Sequence, residues 1–332
     1  MAISINLRKI ITTALLILAV AASSVFLWEK FGLSLSAEQS NPDNGEASNQ
    51  NRIYNSSDYP LINESVTANL DKHFIINFTP LRDRLFEIQK EYPQKVYAYF
   101  LYLNNGSWIG INERENFTAA STVKVPLAMA FYKAVEDGKI DPNTPYIVRD
   151  EDLDVDFGEL YKVAAGVNIT GKEATRIMLE SSDNTAKNVV ARIMNDTGIA
   201  DPLDSVYSFF GWTFDVGETP GYIKINLRTL SNMFIALYNA RYNSIEHSQL
   251  ILEYLSKTPF DDKIAAGLPK AVVVSHKVGI ADSNQTFSDC GIVYAPNRHY
   301  VLCLGSNGGN EAAANKYMAQ VSKEVYSYVI NN

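Results

Sequence analysis

The stretch TAASTVKVPLA, residues 118 to 128, opens an apolar helix on a small polar pair, Ser121 and Thr122, and then places one lysine, Lys124, inside it. Two readings compete. In the first, Thr118 caps the helix and Lys124 is a stray charge. In the second, Ser121 and Lys124 are a catalytic pair. Three residues apart on a helix they share a face, so the amine can approach the hydroxyl. A serine hydroxyl is a poor nucleophile until a base removes its proton, and a neutral lysine is such a base. Burial and the positive end of a helix both disfavour the ammonium. Pro126 has no N–H for the carbonyl of Thr122, so the first turn is expected to be loosened. Ordinary serine and lysine usage produces roughly one such spacing by chance in a chain of this length, so the choice needs the rest of the chain.

Working outward, TPLRDRLFEIQKEYP from Thr79 reads as an amphipathic helix with a Thr-Pro start. KVYAYFLYL alternates like a strand, NNG turns it, and SWIGIN returns as a hairpin, directly before the opening stretch. From 136 to about 227 the chain turns to helices and loops, with one strong helix near 171 to 196. A helix then begins at NLRTLSNMFIALYNARY with Asn226 as its cap. Three strand-like segments follow, AVVVSHKVG, DCGIVYA and HYVLCLG, before a final helical stretch from Asn310 to Ile330. This order predicts an α/β sandwich: a five-stranded, largely antiparallel sheet flanked by helices, with an all-α part inserted between the second and third strands. The expected domain covers 71–332, its α/β part about 71–135 and 226–332 and its helical part about 136–225.

Two further polar features interrupt apolar surroundings. Ser182, Asp183 and Asn184 stand in LESSDNTAKN, where such residues disfavour a helix interior and suit a turn or cap. Lys277 and Gly279 stand in HKVG on a strand margin, where a lysine is ordinarily a solvated edge charge and a glycine a bulge. Singly each is mundane, but their order is not. Ser-x-x-Lys after a hairpin, Ser-Asp-Asn in a helical insertion and Lys-x-Gly on a later strand together resemble the penicillin-recognising serine enzymes, above all the class A β-lactamases. The resemblance runs in element order over roughly residues 75 to 332.

That resemblance implies roles. Ser121 would attack an amide or β-lactam carbonyl and become the acyl-enzyme, with Lys124 taking or relaying its proton. Ser182 would pass a proton to the leaving nitrogen, and Asn184 would hold the substrate's side-chain amide. Lys277 would attract the substrate carboxylate and bias Ser182. The backbone N–H groups of Ser121 and Ile280 would form the oxyanion hole, and Gly279 would let the backbone approach the ligand.

Two departures from the family pattern matter. Val278 stands where the family usually has a hydroxyl residue, so recognition of the carboxylate leans on Lys277. The family also places a glutamate, followed shortly by Leu-Asn, in an omega loop to activate the hydrolytic water. Here that region reads GWTFDVGETPGYIKINLRTL, in which Glu218 has the right distance from Ser182 but no Leu-Asn partner. Glu218 is either the deacylating base or a solvated acid beside a turn. With a working base the chain is a β-lactamase that opens penicillins and cephalosporins. Without one it resembles a penicillin-binding D-Ala-D-Ala peptidase or transpeptidase with slow deacylation. A noncatalytic module that binds cell-wall fragments is a third reading, opposed by the intact nucleophile and base.

The totals agree with an exported enzyme of small substrates. The 332 residues carry a formal charge of −8, with no basic block in the globular part, which excludes nucleic acid as a partner. Arg8 and Lys9 precede the uncharged run IITTALLILAVAASSVFLW, residues 10 to 28, long enough to span a bilayer. Residues 1–30 are therefore expected to anchor the chain with the rest outside the cytoplasmic membrane, or to be cleaved near Ala21 and Ala22. No cysteine stands directly after the run, which argues against a lipoprotein. Residues 31–70 have a linker's composition. The expected partners are a β-lactam or a D-alanyl peptide, with peptidoglycan as its polymer source and the membrane as the anchor's; the chain is expected to be a monomer. Four histidines, His73, His247, His276 and His299, show no metal-ligand spacing, and there is no H-E-x-x-H, phosphate loop or G-x-S-x-G, so no metal or cofactor is expected. His276 should face away from its neighbour Lys277. The two cysteines, Cys290 and Cys303, fall opposite each other if a hairpin turns at Pro296 and Asn297; either a disulfide or two small buried residues fits.

Overall fold

A computed structural model describes residues 58, 60–62, 76–163, 165–212, 215–216, 223–281, 283 and 285–332, all within the compact unit Ile53–Asn332. The anchor and most of the linker expected for 1–70 lie outside the described residues, as does Glu218. Among the described residues no helix is long and apolar enough to cross a membrane.

A helix α1 (Thr79–Lys90) leads into strands β1 (Lys95–Tyr102) and β2 (Trp108–Ile111). Then come the helices α2 (Lys124–Glu136), α3 (Gly171–Glu180), α4 (Asn184–Asp196), α5 (Asp204–Phe210), α6 (Leu227–Tyr238) and α7 (Ile245–Ser256). Strands β3 (Val274–Ala281), β4 (Thr286–Val293) and β5 (Tyr300–Asn307) and the helix α8 (Glu311–Asn331) complete the chain. The sheet order is β2-β1-β5-β4-β3, antiparallel throughout, so the helical insertion joins two opposite edges of one sheet.

Side chains alternate across the sheet, and both faces are covered. On one face Phe100, Leu302 and Leu304 pack against Leu81, Leu85 and Ile88 of α1 and Met318, Val321 and Val325 of α8. Leu81, Leu85 and Ile88 recur at helical spacing, which gives α1 a single apolar stripe. On the other face Tyr97, Tyr99, Val301 and Cys303 meet the helical layer, including Phe131 and Phe234. Helix α2 is buried nearly all round, from Lys124 to Tyr132, because it lies between the sheet and the rest of that layer.

The hairpin register places Tyr300 opposite Val293 and Cys303 opposite Cys290, and the two cysteines are joined in a disulfide. Asn226 caps α6 by accepting the N–H of Thr229 at 2.9 Å. Two local expectations are corrected. The segment 171 to 196 is two helices rather than one, because Ser182 takes a left-handed backbone (φ 57°) and Asp183 starts a new helix by accepting the N–H of Ala186 at 2.8 Å. Thr118 does not cap α2. It belongs to the short strand Phe117–Thr118, and a 3-10 turn, Ala120–Val123, with no side-chain cap precedes the α-helix. That turn is the loosening that Pro126 imposes.

Candidate active site

Ser121 lies in the 3-10 turn, immediately after Ala120, whose φ of 46° is unusual for a residue with a Cβ. Lys124 is the first residue of α2 and is only 1 % exposed. Its amine lies 3.0 Å from Ser121 Oγ, 2.7 Å from Asn184 Oδ1 and 3.3 Å from Ser182 Oγ, and it also donates to the carbonyl of Ser182. Burial drives the Lys124 ammonium down to about 7; the nearby Lys187 pushes the same way, and Asp183 and Asp154 oppose. A large share of this amine is therefore neutral at physiological pH, with one neighbour bearing the hydroxyl it would deprotonate.

Helix α4 organises the opposite wall. Asp183, besides capping its own helix, accepts the N–H groups of Glu159 at 2.8 Å and Leu160 at 2.9 Å. Thr185 Oγ1 accepts the N–H of Asp154 at 2.9 Å, and Asp154 in turn accepts from Asn184 Nδ2 at 3.1 Å. Further along, Arg192 grips Asp152 with two bonds of 2.8 Å, with Asp152 buried. A loop with no periodic pattern is thereby hung on one helix, and Asp156 and Phe157 are held at the cavity. These two were not singled out from sequence, since only the hydrogen bonds of α4 place them.

The cavity holds about 590 Å³, within the range of small-molecule sites, and is lined by Ser121, Lys124, Ser182 and Asn184 together with Val278 and Ile280. Among the described residues strand β3 pairs with β4 alone, which leaves its other edge without a strand partner there, and Ile280 lines the cavity from this edge. Gly279 is required by space. A Cβ there would stand 2.5 Å from Ser288 Oγ and 3.0 Å from the carbonyl oxygen of Ala119. β3 can therefore lie against the Ser121 turn only with glycine at this position.

Lys277 makes no hydrogen bond to Ser182, the hydroxyl it is expected to bias. It is 1 % exposed and its amine has no hydrogen-bond partner among the described residues. Its amine lies 5.8 Å from the centroid of the Phe260 ring, which stands 5.9 Å from the Phe157 ring. Burial, reinforced by the charge of Lys124, holds its ammonium well below the ordinary lysine range. A buried unpaired ammonium is costly, so an incoming carboxylate supplies the partner that favours its charged form. His276 points to the opposite face and contacts Asp289 at 2.8 Å, a buried pair in which Asp289 also accepts the N–H of Ile264. Among the described residues no cluster of histidine, cysteine and acidic side chains could hold a metal ion.

Solved structures share this fold. PBP-A, including a variant in an acyl-enzyme complex with penicillin G, matches with a TM-score of 0.69 at 24% identity over 76% of this chain and 97% of that one. A β-lactamase from Sphaerobacter thermophilus matches with a TM-score of 0.68 at 19% identity over 77% of this chain and 99% of its own. A variant of a reconstructed Gram-negative class A β-lactamase ancestor matches at 0.67 and 23% identity, over 76% of this chain and 99% of its own. At these identities the likeness is one of fold. None of the curated proteins matches the chain. A family model described as the beta-lactamase enzyme family, however, matches residues 80–329, which span the nucleophile turn, the α4 wall and the β3 edge. The chain belongs to the beta-lactamase enzyme family.

Proposed function

We propose that the protein is a serine hydrolase of the class A type that opens the ring of penicillins and cephalosporins through an acyl-enzyme on Ser121. The observation that carries this reading is the buried Lys124 amine, lowered to about 7 and 3.0 Å from Ser121 Oγ. Neutral Lys124 takes the hydroxyl proton as Ser121 Oγ bonds to the β-lactam carbonyl carbon. The resulting oxyanion is met by the backbone N–H groups of Ser121 and Ile280. As the C–N bond breaks, the proton passes from Lys124 through Ser182 Oγ, 3.3 Å away, to the leaving nitrogen. Asn184 holds the substrate's side-chain amide and Lys277 its carboxylate. Glu218 is assigned the last step, taking a proton from the water that releases the acyl group and returns the hydrogen to Ser121.

A second reading is a D-alanyl peptidase whose acyl-enzyme with β-lactams is long-lived. It is favoured by the missing Leu-Asn after Glu218 and by the fold shared with PBP-A. For both readings the apolar run 10–28 is proposed to tether a monomer outside the cytoplasmic membrane, where β-lactams and peptidoglycan are met.

Mixing the full-length protein with a chromogenic cephalosporin and with benzylpenicillin, while following product and intact mass, tests the proposal. Sustained product release is the expected result. A lasting adduct on Ser121 without release selects the peptidase. Neither adduct nor product from a folded protein overturns both and leaves a binding module.

A further inference from the structure

Lys187 also lines the cavity, and no role in the acyl-transfer chemistry engages it. It stands three residues after Asn184 on α4, so the two side chains share a helix face, and Asn184 is in contact with Lys124. Its ammonium is half-buried and, among the described residues, has no ion pair or hydrogen bond. Among the described residues none of the acids around it forms an ion pair with it. Asp183, one turn before it, spends one oxygen on the N–H of Ala186 and the other on those of Glu159 and Leu160. Asp154 accepts from Asn184 and from the N–H of Asp156. Asp156 is exposed at the cavity wall and lies beyond ion-pair distance of Lys187.

A half-buried cation that lines the cavity and, among the described residues, has no ion-pair partner offers an incoming carboxylate a charge-assisted hydrogen bond. Taking the proposed acyl-enzyme reading as its basis, we infer that Lys187 is a specificity-determining residue that pairs with a carboxylate on the acyl side chain of the substrate, just beyond the amide held by Asn184. The group is distinct from the carboxylate assigned to Lys277, which belongs to the other end of the ligand. Substrates with two carboxylates, one on each side of the scissile bond, are the class this cleft favours.

Three penicillins of one skeleton test this: an arylacetyl side chain that is neutral, one with an α-carboxylate and one with an α-ammonium. Acylation efficiency on Ser121 is measured for the full-length protein and for Lys187→Gln, Lys187→Arg and Lys187→Glu, each checked for folding by circular dichroism. The wild type should prefer the carboxylate over the neutral side chain by about tenfold, the ammonium being poorest. Lys187→Gln should flatten the series, Lys187→Arg should keep it and Lys187→Glu should reverse it. The rate against pH separates this from an effect on the base, because losing a neighbouring cation raises the midpoint for all three substrates alike. An unchanged ratio in Lys187→Gln, or an equal loss for all three, overturns the inference while leaving the acyl-enzyme reading intact. Absence of both adduct and product with the folded wild type overturns that reading and this inference with it.

Discussion

The Lys124 amine lies 3.0 Å from the Ser121 hydroxyl, and burial lowers its pKa to about 7. Nucleophile and base are thus delivered by one turn of chain, and the base is tuned by its depth rather than by an acidic partner. Since only the neutral amine accepts a proton, acylation should rise tenfold per pH unit below about 7 and level off above it. Stopped-flow acylation by benzylpenicillin across pH 5 to 9 checks this. Lys124→Met should lower the plateau by about 10²–10⁴-fold.

The same tuning has a cost in stability. Lys124 is held near 7 against its ordinary 10.5, so between those values the unfolded chain binds a proton that the folded one does not. Stability from this group therefore increases as pH rises from about 7 to 10.5, and below 7 the whole penalty is present, on the order of 5 kcal/mol. The contacts with Ser182 and Asn184 offset part of it. Lys124→Met should unfold at a higher temperature than the wild type near pH 6, and the gap should close toward pH 10. A gap independent of pH would show that the amine is not depressed.

Gly279 holds the oxyanion edge against the nucleophile turn. A methyl group there meets Ser288 Oγ at 2.5 Å, the Ala119 carbonyl at 3.0 Å and Thr122 Cγ2 at 3.1 Å. The serine is removable and the carbonyl is not. Gly279→Ala should cost about 1 to 3 kcal/mol and about a hundredfold in acylation as β3 is pushed from Ser121. Adding Ser288→Ala should recover most of the stability but little of the rate, because the Ala119 contact remains. Chemical denaturation and acylation kinetics on both variants separate the two effects.

The parts of this design differ in how openly the sequence declares them. The hairpin around Pro296 and Asn297 fixes its register by symmetry, which is why Cys290 and Cys303 could be paired from spacing. Ser121 with Lys124 and Ser182 with Asn184 are local signals, each pair within three residues at the start of one helix. Tertiary constraints were not legible. Ala120 takes a left-handed backbone in place of a Thr118 cap because the turn is held from outside, with the N–H of Ala119 bonded to the carbonyl of Ile223. Asp156 and Phe157 reach the cavity through the bonds that Asp183, Asn184, Thr185 and Arg192 make from α4. Lys187 did carry a usable signal, its three-residue spacing from Asn184, but that spacing means little until Asn184 is known to face the site.

Deacylation is where the two proposed enzymes part, and Glu218 is the side chain on which they differ. A carboxylate that activates the hydrolytic water acts after the acyl-enzyme has formed, so its loss should leave the burst of acylation intact and slow only the turnover that follows. Glu218→Gln removes the base while keeping the shape of the side chain. In a β-lactamase it should cut steady-state hydrolysis of a chromogenic cephalosporin by about 10²–10⁴-fold. Intact mass should then show Ser121 carrying the acyl group, an adduct the wild type clears. If wild type and Glu218→Gln release product at the same rate, Glu218 is a solvated loop acid. If that shared rate is slow and the adduct persists in both, the peptidase reading stands, and a D-alanyl peptide should then be cleaved faster than any β-lactam is released.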